Sequence, residues 1–171
     1  KYFYNNMLIN FDKILKDLGE ALVQKNLKIS LCESCTGGLV SKLCTDFSGS
    51  SLWFSGAVVT YSNSLKETLG VRKESLLKYG AVSSIVAKEM SLSTLKLVRS
   101  DLCLSITGVA GPEGGTYEKP VGTVYFSYID IFGRNIQKKY LFDGSRSEIR
   151  YLAAEKGIQI ILDCVADIKT Q

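Results

Sequence analysis

Histidine is absent from all 171 residues. That excludes a Ser-His-Asp triad or a Cys-His dyad within one chain, and imidazole metal ligands with them. Any acid–base chemistry must run through a lysine, carboxylate, tyrosine or thiol. No apolar run approaches the ~20 residues of a membrane-spanning helix, and residues 1–10 lack the apolar core of a signal peptide. Neither sign of charge dominates: 21 Lys and Arg against 17 Asp and Glu leave a net +4. The basic residues are scattered rather than clustered, so nucleic acid is not an expected partner. Repeats, linkers and low-complexity tracts are missing too. The five cysteines are odd in number and sit in apolar segments, which points to reduced, buried thiols and a cytoplasmic setting.

What is present suits one globular domain with a core of its own: 46% apolar and 22% charged residues in a chain of this length. Met7 is a candidate natural start, which would leave Lys1–Asn6 foreign to the natural chain. The expected division is an N-terminal extension over 1–10 and a single domain over 11–171. Phe11, Ile14, Leu15, Leu18, Ala21 and Leu22 mark an amphipathic helix. Strands are expected at 27–32, 54–61 and 102–106, and a hairpin of two strands at 121–130 and 135–142 turning near Gly133. Helices are expected at 37–47, after a Ser62 cap with a stop at Gly70, at 74–79, and from Ser83 or Ser84 to Val98. A last one opens at Ser145, with Glu148 completing a capping box. Strands alternating with helices, plus one hairpin, predict a three-layer α/β/α sandwich around a mixed, mostly parallel sheet.

The chain is organised around Leu31-Cys32-Glu33-Ser34-Cys35-Thr36-Gly37-Gly38. A period of two precedes it and a helical period follows, so Ser34 falls where a strand hands over to a helix. The first-turn N–H groups there lack intrahelical partners and carry the positive end of the helix dipole. A hydroxyl so placed has oxyanion donors beside it. The plain alternative is an ordinary strand–turn–helix corner with Thr36 or Ser34 as N-cap.

Three other features bear on chemistry. Lys66 follows the second strand among Leu65 and Leu69. As a surface helix lysine it would do nothing; partly buried, its pKa would fall towards neutrality and it could serve a hydroxyl as base. Arg146 and Arg150 share one face of the first turns of the last helix. Cations there oppose the dipole, which makes sense if an anion docks, or if Asp143 and Glu148 neutralise them. Cys32 and Cys35 form a C-x-x-C, the spacing of a redox pair or half a zinc site, but no second pair of ligands follows. The long glycine-rich loop from Thr107 to Gly115 is of the kind that is often functional.

These stretches together resemble the C-terminal domain of the competence-damage-inducible CinA family. They are Glu33–Gly38, Gly49-Ser50-Ser51, Thr60-Tyr61-Ser62-Asn63 with Lys66, Gly80–Ser83, Thr107–Pro112, Lys119–Val124, and Phe142–Arg146 with Arg150. The resemblance runs in order from about residue 12 to 168. It implies hydrolysis of the carboxamide of nicotinamide mononucleotide to nicotinate mononucleotide and ammonia, without cofactor or metal, by a homodimer or higher homo-oligomer. It assigns Ser34 as nucleophile and Lys66 as its base, with Thr36, Gly37 and Tyr61 supporting the oxyanion. Ser50, Ser51, Thr107, Gly108, Arg146 and Arg150 would contact substrate, with the phosphate on Arg146, joined by Arg150 and the glycine-rich loop. Two mild departures stand out: Ser145 where members often carry an acid, and Thr107 where serine is common. The alternatives are a non-catalytic nucleotide- or phosphate-binding module and a Cys32/Cys35 thiol-redox protein.

Overall fold

The computed structural model describes residues 2–169. In chain order the elements are α1 (Tyr2–Gln24), β1 (Ile29–Glu33), α2 (Leu39–Thr45), a 3-10 turn (Ser50–Leu52), β2 (Phe54–Val59), α3 (Asn63–Leu69), α4 (Lys73–Tyr79), α5 (Ser84–Val98), β3 (Leu102–Gly108), β4 (Thr123–Asp130), β5 (Asn135–Leu141) and α6 (Arg146–Ala166). The first helix runs unbroken from Tyr2 through the stretch expected as an extension; Lys1 lies outside the described residues. No described helix is long and apolar enough to cross a membrane.

The five strands form one sheet in the order β2-β1-β3-β4-β5. β1 pairs in parallel with β2 and with β3, while β4 runs antiparallel to both β3 and β5. Four strands therefore share a direction and β4 alone opposes them, the mostly parallel sheet with a hairpin that the sequence predicts. All five residues of β1 are buried, as a central parallel strand covered on both faces requires.

The two faces are packed differently. Leu31, Leu104, Ile106 and Phe126 join the large apolar core with α1 and α6. At Gly157 on α6 a Cβ would stand 3.0 Å from side-chain atoms of both Leu104 and Ile106. Glycine there lets α6 lie close on the sheet. The other face is lined by small polar side chains under α5. The Ser105 hydroxyl donates to the Ala87 carbonyl at 2.6 Å, and Ser91 and Ser127 hydroxyls meet at 2.9 Å. These bonds satisfy groups that would otherwise be buried at a penalty.

Local chemistry fixes the element ends. The Ser62 hydroxyl accepts from Leu65 N–H and the Ser83 hydroxyl from Val86 N–H, starting α3 and α5. Ser145 and Glu148 form the reciprocal capping box of α6. Because β1 connects to β2 on one side and has β3 on the other, the segments leaving the carboxyl ends of β1 and β3 diverge. A crevice at such a switch point is where open α/β sheets bind ligands.

Candidate active site

Ser34 is the first residue beyond β1 and sits in that crevice. Its N–H still donates to the Ile106 carbonyl at 2.9 Å, so it is held by β3 even as the chain turns away. Thr60 N–H donates to the Glu33 carbonyl at 2.8 Å, which continues the β1–β2 pairing by one residue and fixes the segment from Thr60 to Ser62 alongside. The cap at Ser62 then starts α3 at once, and Lys66, one turn in, points back under this segment.

Lys66 is only 1% exposed. Its Nζ lies 3.0 Å from Ser34 Oγ, 2.6 Å from the Thr60 carbonyl oxygen and 3.5 Å from that of Tyr61. Desolvation by burial holds its pKa below the ordinary lysine value. No ion pair to a carboxylate offsets this among the described residues. A neutral amine has two N–H donors and one lone pair. Nζ donates to the Ser34 hydroxyl as well as to both carbonyls; were the amine neutral, with the carbonyls taking its two donors, its lone pair would face Ser34 Oγ.

A cavity of about 180 Å³ opens above the pair, lined by Ser34, Cys35, Tyr61, Lys66, Ala81, Val82, Thr107, Gly108, Ala110 and Arg146. Six of the expected site residues therefore converge: Ser34, Lys66, Tyr61, Thr107, Gly108 and Arg146. The Thr107 hydroxyl donates to the Ala81 carbonyl at 2.9 Å, tying the end of β3 to the turn before α5. The Arg146 guanidinium bridges the rim, donating to the Gly111 carbonyl at 2.6 Å and to the Tyr61 hydroxyl at 3.1 Å.

Other expected residues stand elsewhere. Ser50 and Ser51 open the 3-10 turn before β2, at the amino end of the sheet, where Ile29 N–H meets the Trp53 carbonyl. Six residues of β2, about 20 Å at strand rise, separate them from the cavity of their own chain. Thr36 and Gly37 are not in the cavity wall. The Gly37 N–H is committed to the Ser34 carbonyl at 3.1 Å, and the buried Thr36 hydroxyl has no hydrogen-bond partner among the described residues. Arg150 reaches behind the Ser34 turn to the carbonyls of Cys35 and Thr36 rather than into the cavity.

The N-cap also differs from expectation. It is Gly38, at φ 93°, with no capping side chain of its own. The role passes to Glu33, whose fully buried carboxylate accepts from Gly38 N–H at 2.9 Å, Val40 N–H at 3.2 Å and Ser41 N–H at 2.8 Å, and from the Ser41 hydroxyl. Thus α2 starts two residues later than a Thr36 cap would place it, and the residues between are freed to form the Ser34 turn. The one hint in the sequence was the acid, Glu33, that ends the strand.

The five cysteines are all free and buried. Burial pushes the Cys35 thiol up to about 12 and raises that of Cys32 as well. Cys32 packs on the α5 face with Val86 and Met90, while Cys35 lines the cavity, so the two do not act as an exposed redox couple. Among the described residues no three Cys, Asp or Glu side chains converge as metal ligands.

A buried serine–lysine pair at the switch point of a three-layer α/β/α sandwich defines the class. The family follows from comparison: the CinA C-terminal domain matches residues 11–165, and the chain belongs to that family. It is 43% identical over 150 residues to the nicotinamide-nucleotide amidohydrolase PncC of Escherichia coli K12, covering 87% of this chain and 91% of that one. A CinA-like protein of Syntrophomonas wolfei is 47% identical over 152 residues, 88% of this chain but 36% of its own length. Among solved structures, the competence/damage-inducible protein CihA of Agrobacterium tumefaciens superposes with a TM-score of 0.88 at 32% identity, covering 92% of this chain and 96% of that one.

Proposed function

We propose that this chain hydrolyses the carboxamide of nicotinamide mononucleotide to nicotinate mononucleotide and ammonia, with Ser34 as nucleophile and Lys66 as base. The observation that carries the reading is the Lys66 amine, desolvated and 3.0 Å from Ser34 Oγ. The names of relatives that are 43% identical over nearly all their length support the substrate.

Neutral Lys66 takes the Ser34 proton as Oγ attacks the amide carbon. The tetrahedral oxyanion is met by backbone N–H of the Ser34 turn, where a single donor is typically worth about 3 kcal/mol. Gly37 N–H is held by Ser34, so Thr36 N–H is the better placed of the two expected donors. Protonated Lys66 then gives its proton to the departing nitrogen, and ammonia leaves. Water repeats the sequence on the acyl-enzyme, with Lys66 accepting its proton and returning it to Ser34.

The cavity volume of about 180 Å³ suits one ring rather than a whole nucleotide, since cavities of about 150 Å³ take up benzene. The pyridine ring with its carboxamide fills it, and ribose and phosphate extend past Tyr61 to Arg146. The reading treats 11–171 as one amidohydrolase domain and includes self-association. The test is ammonia release from the mononucleotide, compared with free nicotinamide and the dinucleotide. A rate indistinguishable from buffer on all three removes the proposal.

A further inference from the structure

Arg150 sits at the second turn of α6, behind the Ser34 turn. Its Nε donates to the Cys35 carbonyl at 3.2 Å and its Nη2 to the Thr36 carbonyl at 2.7 Å. A trans peptide points its C=O and the next N–H in opposite directions. Two carbonyls drawn towards the guanidinium therefore turn the N–H groups of Thr36 and Gly37 away from it. Gly37 N–H closes on the Ser34 carbonyl. Thr36 N–H has no backbone acceptor and lies against the sulfur of Cys35, which is part of the cavity wall. From the opposite side the Glu33 carboxylate holds the next N–H groups, those of Gly38, Val40 and Ser41. The turn is thus gripped between a buried carboxylate and a guanidinium, and of the two N–H groups turned away from the guanidinium only that of the Cys35–Thr36 peptide has no backbone acceptor.

We infer that Arg150 is a positioning residue that orients and polarises the Cys35–Thr36 peptide so that its N–H serves as oxyanion donor, and is not a ligand of the substrate's phosphate. The inference rests on the serine–lysine reading above. A cation near a helix N-terminus opposes the dipole; here two carbonyl partners compensate it. The guanidinium draws electron density through the Cys35 carbonyl, leaving Thr36 N–H more positive where the amide oxygen gains charge. Arg146, four residues earlier in α6, donates its hydrogen bonds elsewhere, to the Gly111 carbonyl and the Tyr61 hydroxyl.

The test compares Arg150→Lys and Arg150→Gln in the full chain. Removing one oxyanion donor typically lowers turnover 10²–10³-fold, so a misaligned one should lower kcat by about a hundredfold in Arg150→Gln, with KM almost unmoved. The factor should be the same on the mononucleotide and on its phosphate-free nucleoside. Arg150→Lys should fall between, since it keeps the charge but loses the second hydrogen bond. Phosphonylation of Ser34 by a fluorophosphonate, followed by intact mass, should slow in parallel, because the phosphoryl oxygen uses the same donor. A rise in KM on the mononucleotide alone, with kcat preserved, makes Arg150 a phosphate ligand and overturns the inference. So does unchanged labelling in a folded variant. Should Arg150→Gln not fold, Arg150→Lys decides by the same readouts. If the wild type labels at Ser34 but releases no ammonia from the mononucleotide, the substrate proposal fails, and the labelling rates alone decide the role of Arg150.

Discussion

Two recesses lie at opposite ends of the same sheet. At the carboxyl ends is the cavity of about 180 Å³ over Ser34 and Lys66. At the amino ends, between α1 and the segment after α2, is a groove of about 450 Å³ whose walls include Leu15, Val23, Phe47, Leu52 and Trp53. The groove is the larger, yet its charged members Lys16 and Glu20 pair with each other at the surface. In the smaller one a desolvated amine, a hydroxyl and a guanidinium come from three separate segments. Volume records where packing is loose. The capacity for chemistry records where strand order brings polar ends together.

The sharpest way to break this contrast is at the pair itself. Ser34→Ala should lower ammonia release by on the order of 10⁴-fold or more, as loss of a triad member does elsewhere, whereas Cys35→Ala should retain most of it; steady-state rates of both variants decide. Lys66→Arg should be as inactive as Ser34→Ala, because arginine does not lose its proton in a protein. Activity should rise with pH as Lys66 deprotonates, through a midpoint below the usual ~10.4 of lysine. Stability should rise over the same window. Between the depressed and the ordinary pKa the unfolded chain binds a proton that the folded one does not. Denaturation as a function of pH should show this slope in wild type and not in Lys66→Met.

At the rim, Arg146→Ala should reduce kcat/KM on the mononucleotide by about tenfold to a hundredfold, the worth of a hydrogen bond to a charged group. It should leave the phosphate-free nucleoside nearly untouched. Equal losses on both would move Arg146 from the phosphate to the ring or the fold. Behind the rim, Glu33→Gln should cost about 2 kcal/mol in chemical denaturation, since an amide oxygen cannot serve three N–H groups as a carboxylate does. The smallest effect belongs to the groove. A Cβ at Gly19 would stand 2.9 Å from Trp53 Nε1. Overpacking in Gly19→Ala, offset by better helix propensity, should leave a net loss of about 1 kcal/mol, read as a shift in Trp53 fluorescence and melting. Ammonia release at the other end of the sheet should not change.

Much of this was legible in the sequence because local rules carried it. Ser62, Gly70, Ser83 and Ser145 each marked a helix end that the structure keeps. Without histidine a hydroxyl needs another base, which makes Lys66 a candidate in the sequence, and the structure buries Lys66 against Ser34. What could not be read was orientation across long separations. Arg146 and Arg150 looked equivalent by spacing, yet one faces the cavity and the other the back of the turn. Nothing local distinguishes them, because the difference lies in whether residues 35–36 or 61 and 111 stand opposite. Glu33 was visible only as part of a motif; its grip on α2 depends on a left-handed Gly38 that lets the chain fold back over the strand end. Ala81, Val82 and Ala110 carry no chemical signature, and only tertiary packing makes them cavity wall.

The scattering of the site along the chain has a consequence for the life of the molecule before it is finished. On the proposed mechanism Lys66 owes its reactivity to desolvation, and Thr60, Ser34 and Ile106 must all be in register for the amine to meet the hydroxyl. Arg146 and Arg150 arrive last in synthesis, at the head of the final helix. A nascent or half-assembled chain therefore holds an ordinary protonated lysine and an ordinary serine, and is chemically silent. Recovery of turnover after dilution from denaturant would thus report the completion of the last helix, later than any probe of the central strands.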